Sequence, residues 1–390
     1  MKIVFVSNAL DHIQMPLCDA FYEQTGGQFI YIATARASAI RQKITDDDIN
    51  DSRNYVLCTY REESEKKKAL TEILSADVVI LGSAPEQYIT QRIEKNKLTF
   101  RYAERLYKTP FSPKNCVRRL MSAWLHHGKY RKKKVYMLCA GAYAAYDHSL
   151  MRNYINKCFT WGYFPAFIEE DIDRILEYKA ENNKLEILWV GRFISLKHPE
   201  HVIELGKYLQ RKNIQFHISM AGYGELLEEY QELVIAQDLG KEVEILGAQP
   251  PEKIRKLMKK ANVLLFTSDR QEGWGAVVNE GMNSGCAVIA SSSAGVSPYL
   301  VENGKNGYLY DNDNVLSLCV KTEYLLRHQD IREAMGRAGY ETINRYWNPD
   351  NAAKSLIYLS GCILQGKNPD IKKGPGAAAP IIKDGWFKEI

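Results

Sequence analysis

The strongest constraint on this chain is a rhythm of short apolar runs separated by amphipathic stretches. Lys2 to Ser7 (KIVFVS), Phe29 to Thr34 (FIYIAT), Ala76 to Gly82 (ADVVILG) and Lys134 to Cys139 (KVYMLC) each read as a strand buried on both faces, with Tyr55 to Leu57 a shorter candidate. Met15 to Gln24, Glu65 to Leu74 and a stretch through Ala145 and Met151 have helical spacing. Strands alternating with helices imply a doubly wound parallel sheet, whose ligand crevice lies at the carboxyl ends of its strands.

The plan then repeats. Leu185 to Val190, Phe216 to Ala221, Val243 to Gly247, Ala261 to Thr267, Cys286 to Ala290 and Gly307 to Tyr310 read as strands. His198 to Arg211, Gly224 to Asp238, Pro251 to Lys260, Val315 to Arg327 and Asp330 to Tyr346 read as helices. At 390 residues the chain exceeds one ordinary core, and the aromatic stretch Cys158 to Pro165 reads as the passage between two domains. The expected division is 1–165, 166–347, a helix over 348–365, and a loosely ordered tail over 366–390 in which Trp386 and Phe387 are candidates to dock.

Hydrophobic residues at 45% and charged residues at 25% are those of a soluble globular protein. No run reaches transmembrane length, and MKIVFVSNAL fits a first strand better than a signal peptide, so a cytoplasmic location is expected. Eight scattered cysteines without a Cys-x-x-Cys pair read as reduced packing thiols and not as a metal site.

The chemistry concentrates at Arg270-Gln271-Glu272-Gly273-Trp274-Gly275-Ala276-Val277-Val278-Asn279-Glu280. It follows a buried strand and opens a helix, so unpaired N–H groups and a positive dipole end near Gly275 and Ala276 suit a phosphate. Glu272 and Glu280 bracket that point about 12 Å apart at 1.5 Å per residue, roughly a nucleotide-sugar from hexose to ribose. Carboxylates accept from hydroxyls at both ends while N–H groups donate to the diphosphate between. After the LEILWV strand, Gly191-Arg192-Phe193-Ile194-Ser195-Leu196-Lys197 carries two cations on a glycine-led turn, which can grip a pyrophosphate.

Glu272 and Glu280 with the interior Gly273-Trp274-Gly275 resemble the signature of retaining GT-B glycosyltransferases of the glycosyltransferase-4 family, and Gly191, Arg192 and Lys197 match its diphosphate-holding segment. The resemblance implies two Rossmann-like domains facing across a cleft. It also implies a first Glu on the donor sugar, a second on the ribose, and donor contacts from Gly191, Gly247, Ala248, Gly273, Trp274, Gly275, Ala276 and Val277. Catalytic roles fall to Glu272, Arg192, Lys197 and, in the first domain, His12. No metal or other cofactor is expected, because fixed cations can stabilise the leaving diphosphate. Similar enzymes move a hexose from a UDP- or GDP-sugar to a saccharide or polyprenyl-linked acceptor in capsule, O-antigen or exopolysaccharide synthesis. A nucleotide-sugar epimerase of the same fold and a non-catalytic saccharide-binding scaffold are the alternatives. Attack on the vacated face and double displacement through an enzyme nucleophile both remain as routes to retention.

Gly222-Tyr223-Gly224 lacks the third glycine of a dinucleotide fingerprint and reads as a structural turn or a donor-lining loop. In the first domain His126, His127 and His148 compete with His12 for the site, and Asp147 is a further cleft candidate. From Arg105 to Tyr146 no acid occurs, while Arg118, Arg119, Lys129 and Arg131 to Lys134 are basic and Phe111, Val117, Leu120, Met121, Trp124 and Leu125 are apolar. The segment Arg105 to Lys134 is therefore expected to meet an anionic membrane surface on the inner face of the cell membrane, in preference to nucleic acid.

Overall fold

The computed structural model describes residues 1–36, 49–110, 112, 114–181 and 185–389; Phe111 of the apolar set lies outside them. The chain divides into two units, Met1–Ala166 with Tyr346–Ile382 and Phe167–Arg345 with Lys383–Ile390. Among the described residues no helix is long and apolar enough to cross a membrane.

The first unit carries β1 (Ile3–Ser7), β2 (Phe29–Ala33), β3 (Val56–Cys58), β4 (Val78–Leu81), β5 (Thr99–Ala103), β6 (Val135–Ala140) and β7 (Cys158–Trp161). They form one parallel sheet in the order β3-β2-β1-β4-β5-β6-β7. Two of these strands run against the sequence reading. In β5, Arg101 interrupts the apolar run; its guanidinium donates to Glu86 at 3.1 Å and lies over the Tyr130 ring. The stretch expected to link the domains begins as β7, with Phe159 and Trp161 buried.

The tail is the larger correction. Instead of loose chain, Gly376 donates to the Thr160 carbonyl at 2.8 Å, Thr160 to the Ala377 carbonyl at 2.8 Å and Ala379 to the Cys158 carbonyl at 2.9 Å, so it covers the free edge of β7. Further on, Asp384 pairs with Arg270 at 2.7 Å and Glu389 with Lys321 at 3.2 Å, within the second unit. Composition hid this because backbone pairing along an edge strand needs no apolar side chains. The helix Pro349–Leu364 packs on the helix Met15–Gln24 inside the first unit.

The second unit repeats the winding with β8 (Glu186–Val190), β9 (His217–Ala221), β10 (Val243–Gly247), β11 (Val263–Phe266), β12 (Ala287–Ser291) and β13 (Gly307–Tyr310), parallel in the order β10-β9-β8-β11-β12-β13. Its core gathers Ile187, Trp189, Leu205, Ile218, Leu265 and Ile289. A helix unforeseen in the sequence, Ile172–Ala180, begins where the Asp171 side chain accepts from the Arg174 N–H at 3.2 Å. In each sheet the winding reverses beside the first strand, between β1 and β4 and between β8 and β11, which opens a crevice at their carboxyl ends.

Candidate active site

The reversal between β8 and β11 brings together the two segments singled out in the sequence. From β8 the chain leaves through Gly191 and Arg192 into a single 3-10 turn, Ser195–Lys197. From β11 it leaves through Thr267 to Gly275 into the helix Ala276–Asn283. The loops are tied: Trp189 Nε1 donates to Thr267 Oγ1 at 2.9 Å, Thr267 Oγ1 to the Lys197 carbonyl at 2.5 Å, and the Asp269 N–H to the Leu196 carbonyl at 2.9 Å. On this frame Lys197 Nζ is ion-paired with Glu272, both side chains largely shielded. Two residues 75 apart in sequence thus form one charge pair. Arg192 projects as an exposed cation between the pinned Gly191 and the buried Phe193.

Close backbone approach explains the neighbouring glycines. A Cβ on Gly222 would lie 1.7 Å from the Gly191 carbonyl oxygen, and one on Gly224 would lie 2.3 Å from that of Phe193. Gly222 also donates to the Gly247 carbonyl at 2.9 Å. The Gly-x-Gly turn is therefore a spacer that lets the edges after β8, β9 and β10 lie side by side. Gly247 has φ +67, and Ala248 beyond it is exposed.

Gly275 begins the helix with φ +109, and a Cβ there would meet the Phe266 ring at 2.2 Å. Among the described residues no side chain caps this helix. The Ala276 and Val277 amides thus occupy its first turn, where helix geometry offers no intrahelical acceptor. Gly273 is buried with Gly275. Trp274 departs from expectation: its side chain is fully buried and Nε1 donates to Asn279 Oδ1 at 2.9 Å, so the indole holds the turn from beneath and offers a ligand only its backbone. Glu280, on the same helix, has its carboxyl pKa raised because burial penalises the charge, with Arg255 only partly offsetting this.

Four residues that sequence reasoning passed over, His198, Glu200, His201 and Asp269, complete the frame. His198 takes a left-handed backbone conformation, φ 47 and ψ 57, uncommon for a residue with a side chain. Its Nδ1 donates to Glu200 at 2.6 Å and its Nε2 faces Asp269 at 3.5 Å. Asp269, then Glu200, push its pKa up to about 9. His201, stacked on it at 4.9 Å, is held down to about 4 by burial and by His198. His198, Glu200 and His201 bring one ligand atom each within 4.8 Å. His198, reaching Glu200 from one ring nitrogen and Asp269 from the other, forms an ion-pair clamp between the two loops. A histidine directly after Lys197 was the only signal, and local sequence says nothing of Asp269 as its partner.

The first-unit candidates separate. His12 is exposed in the loop after β1, at that sheet's own reversal, where Asp11 Oδ1 accepts from the Ile13 and Gln14 amides at 3.0 and 2.8 Å. His126 is exposed on the helix Cys116–His127. His127 and His148 are buried edge-to-face at 4.8 Å, and burial lowers the pKa of both. Asp147, a cleft candidate by sequence, is instead buried structure: it pairs with Arg105 at 3.3 Å and accepts from the Tyr107 N–H at 2.9 Å. That pairing also removes Arg105 from the basic surface expected of its segment.

Residues 171–342 match the family model described as Glycosyl transferases group 1. An uncharacterized glycosyltransferase of Methanocaldococcus jannaschii is 28% identical over 41% of this chain and 43% of its own. The sulfoquinovosyl transferase of Arabidopsis thaliana is 26% identical over 54% and 39%. The amylovoran biosynthesis glycosyltransferase of Erwinia amylovora is 28% identical over 33% of each. The chain thus spans less than half the length of these curated relatives. Among solved structures, Anabaena HepE in complex with UDP superposes with a TM-score of 0.68 at 12% identity, covering 92% of this chain and 98% of its own. Sucrose-phosphate synthase from Thermosynechococcus elongatus gives 0.63 at 12% identity, covering 94% and 100%. The chain therefore has the α/β GT-B fold of two Rossmann-like parallel-sheet domains, and residues 171–342 of its second unit are similar to the domain described as Glycosyl transferases group 1.

Proposed function

We propose that this protein is a retaining, metal-independent glycosyltransferase that moves a hexose from a UDP- or GDP-sugar to a saccharide or polyprenyl-linked acceptor in cell-surface polysaccharide synthesis. The observation that carries the reading is the pairing of Lys197 with Glu272 at the sheet reversal, with exposed Arg192 earlier in the same loop. Arg192 and Lys197 neutralise the departing diphosphate, Glu272 orients the donor hexose, and Glu280 accepts from the ribose hydroxyls. The first-turn amides of Ala276 and Val277 face the phosphates. The donor's own phosphate takes the acceptor proton. Acceptor binding is assigned to the first unit, with His12 as its exposed imidazole.

Support for the donor class comes from HepE, whose structures hold UDP and glucose or UDP-glucose, and support for the pathway class from the amylovoran relative and a putative colanic acid glycosyltransferase of Escherichia coli. Membrane association rests on the helix Cys116–His127, where Val117, Met121, Trp124 and Leu125 are 64, 58, 49 and 60% exposed, and on exposed Arg131, Lys132 and Lys134. The test is product analysis with a panel of UDP- and GDP-sugars and a lipid-pyrophosphate acceptor, the anomeric configuration being read by NMR. Inverted product, or hydrolysis alone across the panel, refutes the reading.

A further inference from the structure

The first unit contains a cavity of about 530 Å³ that the proposed transfer does not use. It lies between the helix Cys116–His127 and β5, and its volume is that of a small-molecule site. Its polar lining is nearly all donor. Arg118, Ser122 and His126 stand one helical turn apart on one face of the helix, placing a guanidinium, a hydroxyl and an imidazole in a column. Arg119 stands beside them, its guanidinium planted over the Tyr107 ring at 5.0 Å and donating to the Thr109 and Pro110 carbonyls at 3.0 and 3.1 Å. Arg101, from β5, also lines the cavity.

Among the described residues one carboxylate, Glu86, lines the cavity, and it is spent: Arg101 and Lys129 both pair with it, and donors from Lys129, Tyr130 and Arg101 outweigh burial to hold its pKa down to about 2. Lys129 reaches Glu86 from outside the lining, so within the lining Arg101, Arg118 and Arg119 stand against this single acid. No Asp or Glu occurs between Arg105 and Tyr146 to offset them. His127 is kept neutral by burial, its pKa lowered to about 3, and Nδ1 is committed to the Tyr154 hydroxyl at 2.9 Å.

We propose that this cavity is a binding site for a phosphate ester, with Arg118, Ser122 and His126 as its donor column and Arg119 and Arg101 as its fixed charges. Guanidinium groups match the oxygens of a phosphate in pairs, and a site walled by arginines with its one acid neutralised discriminates against cations and neutral sugars. On the same helix the exposed stripe of Val117, Met121, Trp124 and Leu125 runs beside the donor column. A phosphate held in the cavity can therefore belong to a lipid headgroup whose chains meet the stripe, or to a soluble phosphorylated molecule.

The probe for the soluble source is glycerol 3-phosphate, titrated into the full chain while the backbone amides of Ser122 and Ala123 are followed by NMR, which separates this site from the Arg192 and Lys197 loop. The lipid source is probed with vesicles of phosphatidic acid, phosphatidylglycerol or phosphatidylcholine, the first two matched in charge. Saturable shifts at Ser122 and Ala123, weakened about tenfold in Arg118→Ala as expected for a charged hydrogen bond, support the site. A preference for phosphatidic acid over phosphatidylglycerol that disappears in Arg118→Ala assigns it to a lipid. Glycerol 3-phosphate binding without vesicle binding keeps the site and removes only the membrane part of the proposed function. No shift at these amides, with Arg118→Ala indistinguishable from the parent on every vesicle, overturns the inference.

Discussion

The two sheets reverse their winding at the same place, beside the first strand, yet the two crevices are furnished differently. Between β8 and β11 the loops carry Arg192, Lys197, Glu272 and the His198 clamp, joined by side-chain and backbone hydrogen bonds. Between β1 and β4 the corresponding loops bring Ser7, Gly82 and Ser83 together, with the Ser83 N–H donating to Ser7 Oγ at 3.3 Å, and expose His12. The fold supplies a crevice in both units, and the loops decide whether its charged side chains pair across it, as Lys197 and Glu272 do, or bind their own loop, as Asp11 does. Rigid charge suits an anion whose charge grows during reaction.

The largest expected effect tests whether the charged crevice carries the chemistry. Arg192→Ala or Lys197→Ala should lower kcat roughly 100-fold or more, since preorganised charges opposite a leaving group contribute on that scale. EDTA should leave the parent nearly unaffected; activity lost in EDTA and restored by Mg²⁺ would break the metal-free part of the assignment.

Rigidity is the next point of contrast. At Gly222 a Cβ would sit 1.7 Å from a backbone carbonyl, whereas at Gly82 it would meet only side chains, the Ser7 hydroxyl at 2.9 Å and the Phe5 ring at 3.1 Å. Gly222→Ala should therefore destabilise the second unit by about 3 kcal/mol and Gly82→Ala the first by about 1 kcal/mol. Hydrogen exchange read separately in the two units checks this, and equal losses would erase the contrast.

Glu280 sharpens the comparison further. A carboxylate on the ribose serves binding, so Glu280→Ala should weaken ribonucleotide affinity about tenfold and the 2′-deoxy analogue less. Isothermal titration with both nucleotides decides it, and equal losses would move Glu280 off the ribose.

The smallest effect concerns the clamp. His198 is raised to about 9 in the folded chain against about 6.5 when unfolded. Its contribution is then fully present below about pH 6.5 and is lost as pH rises through about 9. Glu200 and Asp269 face it directly, with His201 stacked behind and Tyr230 donating to Glu200 at 3.1 Å. The second unit should lose on the order of 1 kcal/mol or less across that window, because the pair is partly solvent-screened. Denaturation midpoints of the parent should fall over this range, while those of His198→Gln stay level.

Much of this was legible in the chain before any coordinates. The apolar runs of β1, β4, β8 and β11 are buried on both faces, so their composition alone announces them, and the strand–glycine–helix order around Gly275 follows from local chemistry. β5 was hidden because Arg101 sits in its middle, and that arginine is tolerable only with Glu86 and Tyr130 brought from elsewhere. β7 was hidden because its edge is covered by a tail some 215 residues away, through backbone groups that every residue possesses. The tail's glycines read as disorder for the same reason.

The sequence by itself determined the doubly wound plan, the residue types of the charged crevice and their place at strand ends, since these follow from periodicities and from groups a few residues apart. Tertiary structure alone decided which of them meet. Lys197 finds Glu272 across 75 residues, Asp147 is consumed by Arg105, Trp274 turns inward to Asn279, and His198 is held in a left-handed turn by Asp269. An ion pair or a buried hydrogen bond depends on distances of a few ångströms and on exclusion of water, and the sheet order sets both only after the whole chain has folded.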